Sequence, residues 1–321
     1  MTTISSDWSP HNLLHPIPLE AIHGSGERLV EVSGVELCYE TFGRPADPAL
    51  LLIMGLGAHM IQWDDGFCAE LAERGLFVIR FDNRDVGRSA KIEAPAAEVA
   101  AALAATFEGR PAKVPYGLED MAGDALGLLD HLEIARAHVV GFSLGGMIAQ
   151  VIALDAHGRV ASLTLIGTRS GERDLPGPGP EFAAIFAAPP PRDAAEYVRA
   201  NVAAWKMMRP AWIDADEDAR DLERAERASR RAPLCPEGGA RQFLAAATAP
   251  GRRARLASVT APTLVIQGDS DPLMPLVCGE DLARSIPGAK LTVIERLGHN
   301  LPKALWGRLA DAIADNAKRA G

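Results

Sequence analysis

The chain has 321 residues, 48% apolar and 23% charged, proportions of a globular protein that exclude a disordered chain and allow either two domains or one large domain carrying an insertion. Its 33 basic and 42 acidic residues leave a formal net charge of −9, which argues against a general nucleic-acid binder, because such a surface must displace counterions from phosphates. The most apolar stretch, Ala49 to Trp63, is interrupted by Gly55, Gly57, His59 and Gln62 and is too short to span a bilayer.

The first 26 residues hold Pro10, Pro16 and Pro18 and show no period, so they are expected to form an N-terminal extension. Their histidines, His11, His15 and His23, do not share one helical face, and no metal site is expected there. The first Lys or Arg is Arg28, so the positive leader of a secretory signal is missing and the expected location is cytoplasmic. Cys38, Cys68, Cys235 and Cys278 lie far apart with no C-x-x-C pair, which predicts buried reduced thiols rather than a zinc site.

From residue 29 onward the chain alternates between two periods. Leu29–Val32 and Val35–Tyr39 alternate apolar and polar, as strands with one wet face do, whereas Ala49–Met54 and Leu76–Phe81 are continuously apolar, as strands buried on both faces are. Helical stripes follow: Phe67, Leu71 and Ala72, then Leu118, Met121, Ala122, Ala125, Leu129 and Leu132. The Ala-rich stretch from Ala94 to Ala105 is expected as a helix or a loop. Further strands are predicted at Ala137–Val140, Ser162–Ile166, Thr263–Gln267 and Lys290–Ile294. This rhythm builds right-handed βαβ units and a mostly parallel sheet covered by helices.

Between Thr168 and Val259 the strand pattern stops. Pro176 to Pro180 and Pro189 to Pro191 lead into helix-like segments, so residues 168–259 are expected as a helical cap inserted into a core of residues 27–167 and 260–321. Within the insertion, Asp216/Arg220, Glu223/Arg227 and Glu226/Arg230 fall at i, i+4 with the acid first, which predicts a water-facing helix with no partner.

Directly after the strand at Ala137 comes Gly141-Phe142-Ser143-Leu144-Gly145-Gly146, followed by an apolar helix-like run. A nucleophile projecting from a sharp strand-to-helix turn needs small residues two positions to either side, and Gly141 and Gly145 provide them. A serine hydroxyl is a weak nucleophile at neutral pH and needs a histidine base oriented by a carboxylate. His299 lies after the last predicted strand and Asp271, with Asp269 as the competing acid, lies after the strand at Thr263. In open parallel sheets such loops gather beyond the carboxyl ends of the strands. The N–H groups of Leu56, in Met54-Gly55-Leu56-Gly57, and of Leu144 are the candidate oxyanion donors. Trp63, Phe142, Trp205 and Met208 are candidates for an acyl pocket, with burial inside the inserted layer the competing role for Trp205, Met207, Met208 and Trp212.

Five ordered motifs carry a family resemblance: Met54 to Gly57, Phe81 to Ser89, Gly141 to Gly146, Pro262 to Pro272 and Gly298 to Pro302. From about Leu29 onward the chain resembles the α/β-hydrolase fold superfamily. Within it, Asp82 to Ser89 and Pro262 to Pro272 resemble bacterial esterases of the aclacinomycin methylesterase type, and Gly141 to Gln150 is similar to cofactor-free haloperoxidases and enol-lactone hydrolases. The resemblance implies an eight-stranded, mostly parallel sheet, an inserted helical cap, and a serine hydrolase acting on a small-molecule ester. It implies a triad of Ser143, His299 and Asp271 and no metal or organic cofactor. Perhydrolase, lactone or C–C bond hydrolase activity, and a catalytically silent ligand-binding role, are the competing expectations. Asp85 stands where Gly is common in the D-x-R-G-x-G-x-S turn, and its expected role is local turn chemistry.

Overall fold

Two antiparallel ribbons at one margin lead into a parallel sheet in the computed structural model, which describes residues 24–179, 182, 191–209, 212 and 215–321. The strands are β1 (Arg28–Val32), β2 (Val35–Phe42), β3 (Ala49–Ile53), β4 (Phe77–Phe81), β5 (Ala137–Phe142), β6 (Val160–Ile166), β7 (Thr263–Gly268) and β8 (Lys290–Ile294). They lie in the order β1-β2-β4-β3-β5-β6-β7-β8. β1 with β2 and β2 with β4 are antiparallel, and every other pairing is parallel. β5 runs two residues beyond its expected end, through Gly141 and Phe142, and β6 starts two residues early. Extra pairing between these neighbours supplies the backbone bonds that local sequence does not announce.

The helices α1 (Asp65–Glu73), α2 (Ala96–Phe107), α3 (Leu118–His131) and α4 (Leu144–Asp155) precede or follow the early strands, and α9 (Leu276–Ser285) and α10 (Trp306–Lys318) the last two. The Ala-rich stretch is thus helical. Alternation explains the continuous apolar strands: Leu51, Ile53 and Ile79 pack on one face with Leu128, Ile148 and Leu282, while Leu50, Leu52 and Val78 pack on the other with Leu71, Leu309 and Ile313. Both faces are dry, and the charged strand residue Arg80 is buried with ion-pair partners, Glu40 and Asp65.

The chain between the hydrogen-bonded neighbours β6 and β7 contributes α5 (Ala194–Met208), α6 (Ala215–Arg231), α7 (Pro236–Thr248) and α8 (Arg253–Leu256). The expectation of a water-facing α6 is corrected. Arg220, Arg227 and Arg231 recur at helical spacing and meet an acidic rim of the sheet domain, while Arg224 pairs within α6 with Glu217 and Asp221. Arg220 pairs with Asp64 at 2.7 Å, Arg227 with Asp65 at 3.0 Å and Arg231 with Asp82 at 2.7 Å. Glu217 and Asp221 are buried. Of the three expected i, i+4 pairs, Glu226 and Arg230 alone form an ion pair among the described residues. Of the cross-interface pairs, Arg231 with Asp82 is buried, whereas Arg227 with Asp65 stays half exposed.

Residues 1–23, with the three early histidines, lie outside the described residues. All four cysteines are free thiols, three of them buried, and burial pushes the Cys38 and Cys68 thiols up to about 12, which keeps them unreactive. Among the described residues no helix is long and apolar enough to cross a membrane.

Candidate active site

The turn from β5 to α4 holds Ser143 at φ 55°, ψ −119°, a left-handed conformation that an L-residue adopts only under constraint. Its neighbours explain why the turn tolerates nothing larger. A Cβ on Gly141 would lie 2.2 Å from the Gly145 carbonyl oxygen, and one on Gly145 would lie 2.0 Å from the Ile53 carbonyl oxygen. The turn is tied from below: Ser143 N–H donates to the Ile166 carbonyl at 3.0 Å, and the Thr168 hydroxyl donates to the Ser143 carbonyl at 2.7 Å. Ser143 is the N-cap of α4, yet its side chain caps nothing, which leaves the hydroxyl uncommitted to the helix.

Asp271 and His299 come from the loops after β7 and β8. His299 Nδ1 and Asp271 Oδ2 are 2.7 Å apart, and both residues are buried. A carboxylate only accepts, so Nδ1 donates and Nε2 keeps its lone pair. Asp271 is itself fixed: Oδ1 accepts from the N–H groups of Leu273 at 2.9 Å and Met274 at 2.8 Å, and Oδ2 accepts from Gln267 Nε2 at 3.3 Å. Asp269, the competing acid, instead accepts from Arg296 N–H at 2.6 Å and serves a neighbouring turn.

Gly167, next to the Ile166 carbonyl that anchors Ser143, lies under the Asp–His pair. A Cβ there would approach His299 Nδ1 to 3.3 Å and Asp271 Oδ2 to 3.4 Å. The rings of Phe142 and His299 are 4.8 Å apart. The structure therefore brings Ser143, Asp271 and His299 to one sheet edge. Among the described residues no hydrogen bond links Ser143 Oγ to the imidazole, and such bonds commonly tighten only when substrate fills a site.

The candidate oxyanion donors flank Ser143. Leu144 opens α4, where N–H groups lack helical partners. Leu56 sits in the turn from Gly55 to Ala58, closed by Ala58 N–H donating to the Gly55 carbonyl at 3.3 Å. A Cβ on Gly55 would lie 3.1 Å from Ser143 Cβ, so this turn lies against the nucleophile candidate.

The four pocket candidates separate. Phe142 is half-buried beside His299. Trp63 is corrected: it is fully buried, stacked on Phe67 at 5.9 Å and edge-on to Phe142 at 6.5 Å, and it supports that ring from behind. Trp205 packs inside the insertion, 5.8 Å from the Arg224 guanidinium. Met208 reaches the site through its backbone, whose carbonyl accepts from His299 N–H at 2.7 Å.

Three residues have roles that the sequence does not announce or announces only in part. Gln267 steadies the acid, as above. Asp85, at φ 74°, does more than shape its turn: it accepts from Arg241 at 2.9 and 2.7 Å, from the Tyr116 hydroxyl at 2.6 Å and from Ile92 N–H at 2.8 Å. Its departure from the usual Gly was the signal available in the sequence. Gln242, on α7, bonds to the main chain of both the 54–57 turn and the 82–89 turn.

Comparison with known proteins agrees with this fold. The alpha/beta hydrolase fold family matches residues 48–302. The chain is 33% identical to rhodomycin D methylesterase of Streptomyces sp. strain C5, covering 91% of this chain and 98% of that one. It is 32% identical to the rhodomycin D methylesterase of Streptomyces peucetius over the same shares. Among solved structures, a hydrolase from Pseudomonas aeruginosa PA01 superposes with a TM-score of 0.65 at 27% identity, covering 92% of this chain and 98% of that one.

Proposed function

The chain belongs to the α/β-hydrolase fold family, and from that premise we propose that it is a serine hydrolase cleaving a small-molecule carboxylic ester, with residues 168–259 as a cap over the core of residues 27–167 and 260–321. Ser143 Oγ attacks the ester carbonyl while His299 Nε2 takes its proton. Asp271 holds the ring in the reactive tautomer and stabilises the imidazolium. The oxyanion is received by the N–H groups of Leu56 and Leu144. Collapse of the tetrahedral intermediate expels the alcohol, protonated by His299, and water then releases the acid by the same steps in reverse roles.

The observation that supports this reading most directly is the buried 2.7 Å bond between His299 and Asp271 above Gly167, alongside the strained Ser143 turn. The similarity to rhodomycin D methylesterases supports a methyl ester of a bulky acid as the substrate class. A cytoplasmic location belongs to the same reading, supported by the four free thiols, which suit a reducing compartment.

The test is turnover of p-nitrophenyl and methyl esters by the wild type and by Ser143→Ala. The variant should keep its fold and lose roughly 10⁴- to 10⁶-fold in kcat, as removal of a triad nucleophile does. Near-normal turnover in a folded Ser143→Ala protein would exclude the mechanism.

A further inference from the structure

Gln242 is fully buried in α7, and both ends of its amide are committed to main chain outside the insertion. Oε1 accepts from Gly57 N–H at 2.8 Å, and Nε2 donates to the Arg84 carbonyl at 2.8 Å. These partners fix the amide's orientation, since a flipped amide would set donor against donor and oxygen against oxygen. The adjacent residue, Arg241, grips Asp85 with two hydrogen bonds. Seating α7 and delivering Gln242 to Gly57 are therefore one event.

Gly57 has φ +67° and is the third residue of the turn closed by Ala58 N–H and the Gly55 carbonyl. A left-handed third residue after a second residue of negative φ marks a type II turn, whose central peptide can flip to give type I. That central peptide joins Leu56 to Gly57, and its N–H is the group Gln242 holds. The peptide before it, carrying Leu56 N–H, is held by Ala58. The Met54 carbonyl is held by Asn83 Nδ2 at 3.0 Å. Of these three tethers, Gln242 alone comes from the insertion.

We infer that Gln242 is a positioning residue that couples the docking of α7 to the alignment of Leu56 N–H, so that the oxyanion hole is complete only when the insertion is seated; this rests on the reading of Ser143 chemistry given above. Gln242 touches no reacting atom and acts through the 55–58 turn. Its loss should weaken binding of the transition state and leave binding of the ester largely alone.

Gln242→Met nearly conserves volume and cannot hydrogen-bond to either partner. On an alkyl ester it should lower kcat about 10- to 100-fold while KM stays within about threefold, because a misdirected donor costs somewhat less than a deleted one. Affinity for a trifluoromethyl ketone, whose serine adduct carries the oxyanion, should fall in parallel. Gln242→Asn, too short to span both partners, should behave alike. Gln242→Glu keeps an acceptor oxygen towards Gly57 in either protonation state and should recover most of kcat. Wild-type kcat and ketone affinity in the Met and Asn variants, a loss confined to KM, or a Glu variant as slow as Met would each overturn the inference. Should Met and Asn both fail to fold, a Glu variant more than about tenfold slower than wild type overturns it, and near-wild-type kcat supports it. A wild type without Ser143-dependent esterase activity defeats the functional reading and this inference together, whereas a Ser143-dependent wild type with an unaffected Gln242→Met defeats this inference alone.

Discussion

Two of the margins along which the insertion meets the sheet domain are built from different chemistry. Towards the turn from Gly55 to Ala58, the contacts are desolvated charge: Arg231 to Asp82 and Arg241 to Asp85, each at 2.7 Å, with both carboxylates wholly buried. Over the His299 loop, most of the joining groups are neutral: the Met208 carbonyl accepts from His299 N–H and Trp212 Nε1 donates to the Arg296 carbonyl, each at 2.7 Å, beside one carboxylate contact, Glu217 accepting from Lys303 N–H at 3.2 Å. A neutral hydrogen bond contributes about 0.5–1.5 kcal/mol net, whereas breaking a buried ion pair by removing one partner costs about 3–5 kcal/mol. The Asp82 and Asp85 side is therefore held more strongly than the His299 side.

Breaking the charged margin should have the largest effect on stability. Arg241→Met leaves Asp85 buried with Tyr116 and Ile92 N–H as its remaining partners, and should lower unfolding free energy by about 3–5 kcal/mol in denaturant titration. An unchanged midpoint would erase the contrast between the margins.

Acidification sharpens the comparison at an intermediate scale. His59 lies on the charged margin, its Nδ1 3.4 Å from Arg231, and burial above all, with help from Arg231 and Lys91 and against Asp82 and Glu27, pushes its imidazole from an ordinary 6.5 down to about 4. The unfolded chain therefore takes up this proton first. Stability from this group is intact above an ordinary histidine pKa and is lost as pH falls towards about 4. The loss should be about 2 kcal/mol between about pH 7.5 and about pH 5, measured as the difference in slope between wild type and His59→Asn. Parallel slopes would remove His59 from the account.

The smallest effect is expected outside both margins. Glu226 and Arg230 pair at 3.3 Å on the solvent side of α6, and Arg230→Ala should change stability by no more than about 0.5 kcal/mol. A larger loss would mean that the exposed face of α6 also has a partner.

The sheet and the loops that bring Ser143, Asp271 and His299 to one edge were legible because their signals are local. Continuous apolar runs marked strands dry on both faces, and glycines spaced around Ser143 marked a turn too tight for a Cβ. The acid after β7 and the histidine after β8 followed from where parallel strands end. The joining chemistry was not legible. Arg220, Arg227 and Arg231 have the spacing of a solvated helix, and nothing within a few residues distinguishes a charge facing water from one facing Asp64, Asp65 or Asp82. Gln242 and Gln267 carry no period or motif, because their roles depend on partners supplied by distant segments. Trp63 was misjudged for a related reason: an aromatic beside the 54–57 turn can face either inward or outward, and here stacking on Phe67 decides.

The excursion that carries α5 to α8 leaves and rejoins the sheet between two strands already bonded to each other. Its length and shape can therefore drift, or be exchanged wholesale with that of a relative, without any strand slipping its register. A graft would seat only where the recipient offers carboxylates at the places of Asp64, Asp65, Asp82 and Asp85 to receive the newcomer's arginines.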